Sequence, residues 1–125
     1  MACPLLVPLV EAGGHNSKEA DTALRKYLKP LLKRNIDTLI LGCTHYGILE
    51  NRIRRIVGHK IKVISGSKLI GKKLKDYLDK HKELENKLGK SKVRVFYSTN
   101  LTPSFTELGS KFFGGRIKAR KASLN

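Results

Sequence analysis

Short apolar runs alternate along this chain with longer amphipathic segments. That alternation predicts an α/β fold, a mostly parallel sheet flanked by helices. Its 125 residues, 40% of them hydrophobic, suffice for one modest core and make a disordered reading unnecessary. Gly, Asn, Asp and Ser fall where the runs meet, as turns between elements require.

In chain order, Leu5 to Val10 reads as a buried strand that ends at Glu11 and the Gly13-Gly14 loop. Asn16 and Ser17 are N-cap residues for a helix with Glu19 in its first turn. Ala20, Ala23, Leu24, Tyr27, Leu28, Leu31 and Leu32 then recur at three- and four-residue steps, one apolar stripe. Pro30 predicts a kink or split near its end. A strand is expected over Ile36–Leu41, and a helix from about Thr44 to Val57 that buries Leu49, Ile53 and Ile56 and stops at Gly58. Ile61–Ile64 is a third strand, opening into the polar turn Ser65-Gly66-Ser67. A lysine-rich helix follows, roughly Leu69 to Leu88, with Ile70, Leu74, Tyr77, Leu78 and His81 on its inner stripe. Val93–Tyr97 alternates as a strand, Phe105 to Phe113 forms a short helix closed by Gly114-Gly115, and Arg116–Ala119 is a last strand. The chain contains no internal repeat.

Basic residues number 26 and acidic ones 10, for a net charge of +16. They divide as 11 against 5 up to Gly66 and 15 against 5 beyond it. Such a charge attracts anionic partners. The lysines spread over helix surfaces, however, and aromatic residues for base stacking are scarce, which argues against nucleic acid and for solvated helix faces. Two cysteines, Cys3 and Cys43, make neither a disulfide framework nor a four-ligand zinc site. Reduced thiols and a cytoplasmic setting fit that usage. The opening run carries two prolines, lacks a basic start and meets Glu11 at once, unlike a signal peptide. No stretch approaches the ~20 apolar residues of a membrane span.

The most informative segment is Asp37–Gly47, D-T-L-I-L-G-C-T-H-Y-G. An apolar strand stops at Gly42 and hands Cys43, Thr44 and His45 to the start of the next helix. In open α/β sheets that hand-over builds the ligand crevice. A thiol there meets helix N–H groups and the positive end of the helix dipole, both of which favour thiolate. Cys43 is therefore a candidate reactive thiol, with His45 placed to tune or orient it. No third or fourth ligand stands at metal-site spacing, so no metal is expected. Cys3, His15, His59 and His81 read as structural or exposed, and Tyr46 as packing.

The stretch LGCTHYG resembles the second catalytic-cysteine motif of glutamate racemases, in the aspartate/glutamate racemase superfamily. CPLLVPLVEAG, YLKPLLKRNIDTLILGCTH and VRVFYSTNLTPSFTELGSKFFG are similar to other segments of that family in order and spacing. His45 after Cys-Thr favours glutamate over aspartate as substrate. The family's first half carries Asp-Ser-Gly and Cys-Asn-Thr motifs, and neither occurs here. The chain thus resembles a C-terminal portion, one half of a two-domain architecture. Gly47 stands where the family commonly has proline, and Ser65-Gly66-Ser67 where an Asp-Ser pair is usual.

The resemblance implies a cofactor-independent racemase that interconverts L- and D-glutamate for peptidoglycan synthesis by two-thiol proton transfer. It implies Cys43 as one acid/base and His45 as hydrogen-bonded to the thiol or the substrate. Glu11 would orient His45, while Thr44 and His45 would bind substrate. It also implies a division into residues 1–66, a cysteine-bearing part of the second domain, and residues 67–125, which would complete the missing first. Glutamate and an N-terminal half supplied by another chain are the expected partners. Homo-oligomerisation is left open. The competing reading is a non-catalytic basic α/β module that binds nucleic acid or a protein, with affinity falling steeply in salt and no need for Cys43.

Overall fold

The computed structural model describes residues 1–124, and the side chains of all of these except residues 67 and 68. The chain falls into two units, Met1–Lys82 and Glu83–Asn125.

The first unit opens on helix α1 (Leu6–Glu11), where a strand was expected. Leu6 and Val10 are buried while Pro8 midway between them is exposed, which is helical and not alternating periodicity. Pro8 occupies the third helical position, whose N–H has no partner inside a helix anyway, whereas in a central strand it would delete a ladder bond. A 3-10 turn (Gly14–Asn16) leads into α2 (Lys18–Leu32). Ser17 is its N-cap, accepting from the Ala20 N–H at 3.2 Å. Pro30 does not split α2, which continues to Leu32. The buried face of Ala20, Ala23, Leu24 and Leu28 holds the helix to the core despite the one lost backbone bond.

Strand β1 (Thr38–Leu41) pairs in parallel with β2 (Lys62–Ser65), in register Leu39 with Val63 and Leu41 with Ser65. The crossover between them carries a 3-10 turn (Thr44–Gly47) and then α3 (Glu50–Val57). The expected single helix from Thr44 is thus two elements. Bonds from Ile48 N–H to His45 O (3.1 Å) and Leu49 N–H to Tyr46 O (3.0 Å) span three residues. That spacing sets Tyr46 and Leu49 on one side, toward the core. Gly58 ends α3 at φ 78°, as expected. The carboxylate of Glu50, 2% exposed, accepts from Arg54 Nε at 2.8 Å, and Arg54 Nη2 donates to Val63 O at 2.7 Å, fastening α3 to β2.

α4 (Gly66–Lys80) begins at once after β2, earlier than expected, and stops well before Leu88. His81 ends it: its N–H returns to Tyr77 O and Leu78 O, and its ring stacks on Tyr77 at 4.0 Å. The inner stripe predicted for this helix is not inside. Ile70 (68% exposed), Leu74 and Tyr77 lie exposed, while Leu78 and His81 are half-buried. The side chain of Ser67, part of the expected polar turn, lies outside the described residues.

α5 (Lys82–Glu85) stands where the chain passes into the second unit. That unit is a smaller βαβ: β3 (Phe96–Ser98) and β4 (Ala119–Lys121) pair in parallel through α6 (Pro103–Phe113). Both strands lie two or three residues later than the apolar runs implied. α6 is capped at both ends. Thr102 Oγ1 accepts from Phe105 N–H at 3.2 Å, Pro103 is its first residue, and Gly114 closes it at φ 75°. Phe96 meets Phe113 edge-on at 5.3 Å, and among the described residues of this unit Ile117 alone is fully buried.

Candidate active site

Cys43, in extended conformation, is the last residue before the 3-10 turn. With Leu41, Gly42, Thr44, Ser65 and Ile70 it lines a cavity of about 330 Å³ at the carboxyl ends of β1 and β2. The hand-over seen in the sequence is therefore a crevice, where parallel sheets place ligands. The expected helix dipole does not act on the thiol, because a four-residue turn and not a long helix follows it. Thr44, at the start of the turn, is exposed and beside the thiol.

The three residues proposed for chemistry meet. Cys43 Sγ lies 3.9 Å from His45 Nδ1, and His45 Nε2 lies 3.2 Å from Glu11 Oε1. Thr44 Oγ1 is 3.4 Å from His45 Nδ1. Glu11 comes from the end of α1, which packs against the 3-10 turn that carries His45. An ionised carboxylate can only accept, so the Glu11 contact keeps the proton on Nε2 of a neutral imidazole. Nδ1 then faces the thiol as an acceptor. The line thiol–imidazole–carboxylate is an activated-nucleophile arrangement, base and orienter in order. The imidazole is 34% exposed and the carboxylate 61%, so the relay lies partly open to solvent.

Tyr46 is partly buried against the core, in keeping with its packing role. Its phenol is pushed above the ordinary value of 10.0, first by burial and then by the Cys3 thiol beside it, with Cys43 and Tyr27 adding smaller contributions. His81 caps a helix and His59 is exposed. Sequence reasoning did not single out the lining roles of Ser65 and Ile70. Their signal was position, Ser65 ending the strand beside β1 and Ile70 one turn into the next helix. Among the described residues no group of three or more His, Cys, Asp and Glu is placed to hold a metal, and no helix is long and apolar enough to cross a membrane.

The relatives that this chain matches are glutamate racemases. The glutamate racemase of Bacillus cereus is 37% identical over 118 residues, 94% of this chain and 44% of the relative. That of Persephonella marina is 37% identical over 123 residues, covering 98% and 44%. Among solved structures, a glutamate racemase isoform from Bacillus anthracis superposes with a TM-score of 0.82 at 31% identity, over 98% of this chain and 46% of that one. The chain matches a C-terminal portion of glutamate racemases. The glutamate racemase of Francisella tularensis, solved in complex with D-glutamate, superposes at 0.80 and 30% identity. No family model matches the chain. The chain spans less than half the length of these relatives. They give the basic-module alternative no support.

Proposed function

We propose that this chain is the C-terminal half of a glutamate racemase and that Cys43 is one of its two acid/base thiols. The observation that carries the reading is the line Cys43–His45–Glu11 at the mouth of the strand-end cavity. Racemisation needs a proton taken from one face of Cα and another delivered from the opposite face. As thiolate, Cys43 accepts the Cα proton and its electron pair stays on Cα; as thiol it gives a proton back. His45 Nδ1 takes the thiol proton to form the thiolate and returns it, while Glu11 holds the ring and offsets the imidazolium charge. Thr44 binds the substrate carboxylate with its N–H and hydroxyl, next to the carbanion that develops. The chemistry needs no cofactor.

The opposing thiol comes from an N-terminal half. Residues 1–66 are the cysteine-bearing part of the second domain, and residues 67–125 complete the first. In support, α4 exposes Ile70, Leu74 and Tyr77 on the helix that begins at the cavity, and Ile40 of β1 is 69% exposed. Apolar residues exposed at helical spacing along one element mark a face made for a partner. The product, D-glutamate, serves peptidoglycan synthesis in the cytoplasm.

The test is to mix the chain with the N-terminal half of the Bacillus cereus relative and supply L-glutamate in deuterated water. Optical inversion and Cα deuteration are expected from the mixture, and Cys43→Ala is expected to abolish inversion. Inversion that survives Cys43→Ala would refute the assignment.

A further inference from the structure

The half-buried guanidinium of Arg52 has no part in the chemistry above, yet it closes a ring around it. We infer that Arg52 is a positioning residue, which fixes the α1–α2 corner and thereby sets the reach of the Glu11 carboxylate to His45. Arg52 Nη2 donates to Asn16 O at 2.5 Å, and Nη1 donates to Asp21 Oδ1 at 2.5 Å and to Ser17 O at 3.3 Å. The side chain is only 14% exposed, and its Nε lies buried without a hydrogen-bond partner. A cation committed so deeply to backbone oxygens holds those oxygens in place.

Chain geometry makes the hold matter. Asn16 lies five residues beyond Glu11, and Arg52 seven residues beyond His45. α1 packs on the turn bearing His45, and α2 packs on α3. Glu11, the 3-10 turn Gly14–Asn16, Arg52, α3 and His45 therefore form a closed circuit with two clasps, the guanidinium and the imidazole–carboxylate bond. The segment between Glu11 and Ser17 also depends on Gly13 at φ 74°, and a Cβ at Gly14 would stand 3.2 Å from Leu9 O. Glu11 ends its helix and is 61% exposed, so packing around it contributes little to its placement. Only arginine offers a planar fork that meets two carbonyls and a carboxylate together, and lysine cannot replace it.

Arg54, two residues on, supplies the control. It is also tied by guanidinium bonds, but to Glu50 and to Val63 O on β2, away from the α1–α2 corner. The inference rests on the proposed relay, so its test reads the Glu11–His45 bond itself and not racemisation. The ¹⁵N signal of His45 Nε2 is followed at fixed pH in the full chain, with Glu11→Ala marking the position of the broken bond. Arg52→Lys is expected to move the signal in the same direction, by at least half as far. Asp21→Ala, a milder change that removes one acceptor of the guanidinium, moves it the same way by less and serves if Arg52→Lys does not fold. Arg54→Lys is expected to leave the signal at its parent position even where it lowers Tm. A parent-like signal in the folded Arg52 or Asp21 variants, or an equal movement in Arg54→Lys, overturns the inference while leaving the racemase reading intact.

Discussion

Helices α2 and α4 have 15 residues each and apolar residues at helical spacing, and they meet opposite fates. α2 packs on α1 and α3 and buries Ala20, Ala23, Leu24 and Leu28, whereas α4 leaves Ile70, Leu74 and Tyr77 in solvent. Periodicity states that a face needs a partner, and it does not state whether the partner lies in the same chain. The match to less than half of each relative fits that division.

The largest effect that could break the comparison is a cavity in each helix. Leu24→Ala, at 1% exposure, is expected to lower the unfolding free energy by about 2–5 kcal/mol in a guanidinium titration. Leu74→Ala is expected to stay within about 0.5 kcal/mol in the isolated chain. Equal losses would mean that α4 has a buried face after all. Next in size is the cap of α2. Ser17→Ala removes the bond to the Ala20 N–H and is expected to cost about 1 kcal/mol, read as a lower melting temperature.

A smaller effect comes from Tyr46, which packs on the core that α2 completes. Its folded phenol titrates above 10.0 because burial disfavours phenolate. A raised folded value means that this stabilisation is whole below the unfolded value and is lost as pH rises through the folded one. Ultraviolet titration should find one tyrosine ionising above the ordinary value of 10.0, and Tyr46→Phe should remove that late component and flatten the alkaline loss of stability. Smallest of all is the exposed Lys75–Asp79 pair on α4. Lys75→Ala should leave the melting temperature unchanged within error, since such pairs are screened by water and salt.

Much of this was legible in the sequence where the signal was local. Ser17, Gly58 and Gly114 each carry a cap chemistry that acts within four residues, and each acts as expected. α1 was misread because a six-residue apolar run satisfies strand and helix alike. Pro8 was the clue, harmless in a first helical turn and costly in a ladder. The break at His81 and the split before α3 depend on a stacked ring and on the packing of Tyr46 and Leu49, which no window of sequence displays. At the site, Cys43 and His45 are close because they are neighbours in sequence. Glu11 reaches them across 34 residues, and the motif pointed there where spacing alone could not. The hold of Arg52 on Asn16 and Ser17 is a long-range carbonyl contact, invisible before folding.

The proposed role of Cys43 depends most directly on the thiol's pairing with its imidazole. Alkylation of Cys43 by iodoacetamide in the native chain, followed by mass spectrometry beside Cys3, reads that pairing. Cys43 is expected to react faster than Cys3, and His45→Ala to slow it by about tenfold in a chain that still folds. A Cys43 no faster than Cys3, with a rate indifferent to His45→Ala, would contradict it.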